Sequence, residues 1–152
     1  MDETGFRMFR LSSVGYCCAQ IMIKMALEDE GTENEDLIRA LNGLCMGIGS
    51  EQKTCGVLTG GIAVLGLYAG KGNDQECPSP SYTAMVDEFT GWFREEFGST
   101  DCADLIGVCS VIDYQTNQEY RLKCGDTLIR SFEKIREILR GHDFTWGSRV
   151  PD

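Results

Sequence analysis

The chain has 152 residues, 42% hydrophobic and 25% charged, and its 14 lysines and arginines against 24 aspartates and glutamates give a formal charge of −10. That length fits one domain with a sizeable core. A surface so acidic repels phosphate backbones and anionic headgroups, which argues against nucleic-acid and membrane-surface partners.

The opening residues Met1, Asp2 and Glu3 lack the basic and apolar regions of a signal peptide. The most apolar stretch, 57–69, falls short of the roughly 20 residues that span a bilayer. A cytoplasmic location without membrane insertion is therefore expected, in a compartment that keeps thiols reduced. The dispersed acidic residues read as solvated helix faces, with calcium or an acid–base pair the lesser alternative.

Leu11, Val14, Cys18, Ile21, Met22 and Met25 recur at helical spacing, predicting a first helix that starts near Ser12 or Ser13, or a turn earlier, and closes at Gly31. Thr32 or Asn34 then caps a second helix carrying Leu37, Ile38, Leu41 and Leu44 on one face. It runs into a segment where Gly43, Gly47 and Gly49 break or tightly pack the backbone. Thr54 caps a third helix over 55–68, apolar nearly all round as a central buried helix would be. Gly56 and Gly60 share one of its faces, which favours close helix packing over a phosphate-binding loop.

Residues 70–80 read as a surface loop. Ser81 opens a fourth helix with a stripe of Met85, Phe89, Trp92, Phe93 and Phe97. A short fifth helix begins near Cys102. Residues 109–118 are ambiguous, with a short strand near 109–114 as one reading. A last helix over 118–140 carries Tyr120, Cys124, Leu128, Phe132, Ile135 and Leu139. The expected architecture is an all-α bundle of five or six helices in one domain over 1–152, with 141–152 an irregular tail.

Chemistry is sought among eight cysteines: Cys17, Cys18, Cys45, Cys55, Cys77, Cys102, Cys109 and Cys124. In a reducing compartment such a number suggests metal or redox chemistry rather than a disulfide framework. There is no Cys-x-x-Cys, so neither a thioredoxin-type motif nor a zinc ribbon is present. The single histidine, His142, lies in the tail and builds no triad.

Cys18 and Cys124 fall in inward stripes, while Cys55 and Cys102 stand at helix starts, whose free N–H groups favour thiolate. Those two thiols are expected to be more acidic than a free cysteine. Four such residues converging in a bundle suit an iron–sulfur cluster or zinc, and a close pair suits reversible disulfide chemistry. Small buried hydrophobes are the plain alternative for each. Cys17 and Cys18 would point about 100° apart on a helix and cannot share a site. Cys77 and Cys109 read as incidental. Cys45 is the best extra ligand, and Gly56 and Gly60 would border any bound group.

The chain resembles the family named for the cysteine pattern C_GCAxxG_C_C, whose members are labelled redox-active. The matching stretches are Cys18-Ala19-Gln20, the glycine segment 43–49, Cys55-Gly56-Val57-Leu58-Thr59-Gly60-Gly61, Gly98-Ser99-Thr100-Asp101-Cys102 and Cys124. They span about residues 10–140. The resemblance places the four defining cysteines on Cys18, Cys55, Cys102 and Cys124, the set already singled out by helix position. Val57 departs from the family's alanine, and Cys45 from its usual glycine.

The resemblance implies cysteine-dependent redox activity, by thiol/disulfide or metal-cluster chemistry, and an oxidoreductase if the chain is an enzyme. A protein that donates or accepts electrons is the expected partner. Homo-oligomerisation is left open. A non-catalytic metal-binding module on the same cysteines, or a helical interaction protein with structural cysteines, are the rival readings.

Overall fold

In the computed structural model, which describes residues 2–149, the apolar sequence over 56–69 forms a helix that every long neighbour packs against. The elements in chain order are α1 (Glu3–Ser13), α2 (Cys18–Glu30), α3 (Glu35–Ala40), a 3-10 turn (Asn42–Leu44), α4 (Gly56–Ala69), α5 (Tyr82–Phe97), α6 (Cys102–Ile106), α7 (Val111–Thr116) and α8 (Gln118–Gly141). The chain is all-helical as expected. Eight α-helices stand among the described residues where five or six were predicted; the additions are α1, before the predicted first start, and α7, in the segment left ambiguous.

Gly15 separates α1 from α2. This residue adopts φ +102, a conformation that costs glycine little, and Tyr16 N–H donates back to Leu11 O at 3.2 Å. The helix predicted from Ser12 or Ser13, or a turn earlier, therefore starts only at Cys18, a separate helix over Glu3–Ser13 precedes it, and Val14 is exposed instead of lying on an inward stripe. The ambiguous 109–118 segment resolves as α7. Ser110 Oγ accepts from Asp113 N–H at 3.1 Å while Asp113 Oδ2 accepts from Ser110 N–H at 3.1 Å, a reciprocal cap that starts a helix.

α4 is buried on several sides because small residues let its neighbours close in. A Cβ on Gly60 would lie 2.9 Å from the Cα and carbonyl oxygen of Ala19 in α2, and one on Gly61 would lie 2.5 Å from the ring of Phe89 in α5. Around α4 the core is filled by Met22, Met25, Leu65, Met85, Phe89, Phe93, Phe132, Ile135 and Leu139, all fully buried.

Residues 142–149, beyond α8, are irregular yet docked. Trp146 stacks on Tyr68 and its Nε1 donates to Asp29 at 2.8 Å. Residues 150–152 of the predicted tail, like Met1, lie outside the described residues. No helix among the described residues is long and apolar enough to cross a membrane.

Candidate thiol redox site

The site forms where the N-termini of α2, α4 and α6 meet the first turns of α8. A short antiparallel bridge between Thr54 and Asp101 ties the starts of α4 and α6 together: Cys55 N–H donates to Thr100 O at 2.8 Å and Cys102 N–H to Lys53 O at 2.6 Å. This bridge sets Cys55, the N-cap of α4, beside Cys102, the first residue of α6. Cys18, the first residue of α2, reaches the same place. A Cβ on Gly56 would lie only 2.5 Å from Cys18 Sγ, so glycine is required for α4 to begin against that sulfur. Cys124 joins from α8.

Together these four sulfur-bearing residues wall a cavity of about 40 Å³, with Cys17, Cys45, Tyr114 and Ile106 also on its wall. The space suits a water or a small ion. The structure thus brings together Cys18, Cys55, Cys102 and Cys124, with Cys45 and Gly56 beside them. Gly60 does not reach the cavity wall and serves the α2–α4 contact.

A polar hydrogen stands near each of the four sulfurs and favours its thiolate: the backbone N–H of Ala19 and Met46 at Cys18, those of Val57 and Leu58 at Cys55, and the Tyr114 hydroxyl at Cys124. Gln52 Nε2 donates to Cys102 Sγ at 3.7 Å. The Met46 donor depends on an unusual backbone: Met46, Gly47, Ile48 and Gly49 all take positive φ, from 56° to 69°. Left-handed conformation is costly for Met46 and above all for β-branched Ile48, and such strain clusters at functional sites. Gly47 admits no side chain, since its Cβ would lie 2.5 Å from Lys53 N.

Despite these donors, burial prevails. It pushes the thiols of Cys18, Cys55, Cys102 and Cys124 up, Cys55 to about 11 and Cys124 to about 12, with mutual repulsion among the sulfurs adding to the effect. The expectation that Cys55 and Cys102 are more acidic than a free thiol is therefore overturned. The N–H groups of Val57 and Leu58 lower the Cys55 thiol as a helix start should, but desolvation of the thiolate outweighs them.

Position in sequence did not reveal the role of Cys17. It is the extended N-cap of α2 (φ −100°, ψ 174°) and so escapes the angular constraint of adjacent helical residues. Its side chain forms a disulfide with Cys45, at a Cα–Cα distance of 6.1 Å, directly behind the 3-10 turn. Cys45, expected as an extra ligand, is thereby a disulfide partner. The usable signal was Gly15, which ends α1 before Cys17. Half-buried Cys17 presents the disulfide's outer side beside Gln20 and Asn42, which also line an open groove of about 740 Å³.

His142 pairs with Glu88 at 3.2 Å and Cys77 is exposed in the 70–80 loop, both away from the cavity. As placed, no three histidine, cysteine, aspartate or glutamate side chains among the described residues stand at the spacing that holds a metal ion.

No curated protein and no solved structure matches the chain. A family described as "Putative redox-active protein (C_GCAxxG_C_C)" matches residues 16–138, which include all six cysteines of the cavity wall. The chain belongs to this redox-active C_GCAxxG_C_C family.

Proposed function

We propose that the chain is a cytoplasmic thiol/disulfide redox protein in which Cys18, Cys55, Cys102 and Cys124 share electron pairs with the Cys17–Cys45 disulfide. The observation that carries this reading is that one small cavity is walled by both the disulfide and the four thiols. A disulfide in a reducing compartment is usually a transient, redox-active one. The partner is a protein dithiol: it gives two electrons and two protons to Cys17–Cys45, leaving the partner as a disulfide and Cys17 and Cys45 as thiols. Half-buried Cys17 is the sulfur such a partner meets first. Acting catalytically, the protein would be an oxidoreductase.

Free-thiol counts in glutathione buffers of graded redox ratio test this. The reading requires Cys17, Cys45 and cavity thiols to change state together in two-electron steps. Serine in place of any of Cys18, Cys55, Cys102 or Cys124 should disturb that titration in a still-folded protein, whereas Cys77→Ser should not. Independent titration of every cysteine would sink the shared site.

A second reading, a metal or iron–sulfur centre on Cys18, Cys55, Cys102 and Cys124, is favoured by the donors aimed at each sulfur, the arrangement that orients metal-bound thiolates. It needs the four sulfurs to draw closer than they stand. Such a centre would supply either one-electron chemistry or, with zinc, a purely structural role. Metal content and the absorption spectrum of protein purified without oxygen separate it from the first reading, since iron–sulfur clusters are coloured.

A further inference from the structure

We infer that Cys102 and Cys109 are a second dithiol/disulfide pair, held by Gln52, through which oxidants at the surface reach the buried cysteines. The inference rests on the thiol/disulfide reading of the site for its purpose. Cys109 lies outside the four-cysteine pattern and outside the cavity wall, so neither accounts for it.

Gln52 carries the geometry. It is buried, with 6% of its surface exposed, and adopts φ +53°, which aims its amide at the 107–109 loop. Its Oε1 accepts from Cys109 N–H at 2.9 Å and its Nε2 donates to Gly107 O at 2.9 Å. The same Nε2 lies 3.7 Å from Cys102 Sγ and 3.6 Å from Cys109 Sγ. An amide nitrogen has two hydrogens. With one on Gly107, the other faces both sulfurs, so a single buried donor stands ready for whichever becomes thiolate.

The two sulfurs differ in access. Cys102 is buried on the cavity wall, while Cys109 is half-buried between exposed Val108 and Ser110. Gly107, at φ +92°, turns the chain sharply between α6 and Cys109, a conformation glycine adopts at little cost.

The step is a double exchange with a small-molecule disulfide. The Cys109 thiolate attacks one sulfur of that disulfide, forming a mixed disulfide and releasing a thiolate that takes up a proton. The Cys102 thiolate then attacks Cys109 Sγ, forming Cys102–Cys109 and expelling the second thiolate, which is protonated in turn. The small disulfide gains two electrons and becomes two thiols, while the two protein thiols lose two electrons and two protons.

Full-length protein is equilibrated in glutathione buffers, with glutathione disulfide as the probe, then quenched by alkylation and cut with trypsin. Residues 95–121, between cleavage at Arg94 and Arg121, contain Cys102 and Cys109 and no other cysteine. The expected product is this peptide, unalkylated and two hydrogens lighter. In Cys109→Ser and in Cys109→Ala, loss of the Cys102 thiol should slow by about tenfold or more, because the accessible attacking sulfur is gone. The pair is overturned if the peptide stays doubly alkylated while Cys18, Cys55 or Cys124 lose thiols, a result that spares the reading of the main site. It is equally overturned if both variants lose the Cys102 thiol at the wild-type rate. Conversely, the bridged peptide forming while Cys18, Cys55, Cys124 and Cys17–Cys45 stay unchanged overturns the pair's role as the route to the buried cysteines and defeats the shared site.

Discussion

A buried thiol resists ionisation unless something compensates for the lost water, and here hydrogen bonds compensate in part. Cys55 receives two backbone donors and still rises to about 11. The sign for stability follows. The unfolded chain releases these protons near the free-thiol value of about 8.5, whereas the native protein holds them. The contribution of the buried thiols is therefore complete below that value and is lost as pH rises through about 11 for Cys55 and about 12 for Cys124. Reduced, metal-free protein should accordingly melt at progressively lower temperature as pH climbs beyond that of the free thiol, and Cys55 should alkylate slowly at neutral pH. Rapid labelling of Cys55 near neutrality in folded protein contradicts this account. At the neighbouring residue, Gly56→Ala drives a methyl into Cys18 Sγ and to 3.1 Å from Leu44 O. A loss of about 1–3 kcal/mol is expected for such overpacking, read by denaturant unfolding.

Among the elements, the α2–α4 contact is the most exacting. A Cβ on Gly60 would meet Ala19 backbone at 2.9 Å, and backbone cannot rotate aside as a side chain can. Gly60→Ala should therefore push α2 from α4 and cost at least as much as Gly56→Ala, with Cys18 labelling faster as the helices part. Unchanged stability and labelling would mean that the helices do not approach this closely. On the other side, α7 reaches the site through Tyr114, which shares the cavity wall with Cys124 and whose hydroxyl lowers that thiol. Tyr114→Phe removes the donor that lowers the Cys124 thiol and should raise its titration by about one pH unit, reflecting a hydrogen bond to a charged group worth at least about 1.4 kcal/mol. Site-resolved alkylation against pH measures it, and no movement of Cys124 would exclude that hydrogen bond.

For the molecule as a whole, the Cys17–Cys45 disulfide joins α2 to the strained 46–49 segment across 28 residues of chain. Closing a loop of that length removes unfolded-state entropy corresponding to about 3–4 kcal/mol. Reduction, or Cys45→Ser, should lower unfolding free energy by about 2–4 kcal/mol while leaving helical circular dichroism nearly intact, because Phe89, Phe93 and Phe132 are fully buried without any part in the bond. Equal stability of oxidised and reduced protein would show that the disulfide does not constrain the native chain. The coupling also has a functional side. Met46 N–H, which donates to Cys18, follows Cys45 directly, so breaking the disulfide loosens a donor to the thiol site.

Helical period over 118–139, the all-round apolar run of α4 and the caps at Asn34 and Ser81 made the helical class, the central helix and the chain order legible from the amino acids alone. Helix formation is local, and burial of an apolar stripe is written in its spacing. The grouping of Cys18, Cys55, Cys102 and Cys124 was suggested by helix position and by the family resemblance, although Cys18 is the first residue of α2 and not part of a stripe inside a longer helix. The tertiary structure decided the rest. Gly15 ends α1 by local geometry, but the Cys17–Cys45 pair lies between elements whose approach no local pattern encodes. The ionisation of Cys55 and Cys102 turned on burial against Gly56 and the 53–55 and 100–102 backbone, which reversed the sign that helix position alone implied. Spacing records where a side chain stands on its own helix, but desolvation depends on what the rest of the chain packs over it.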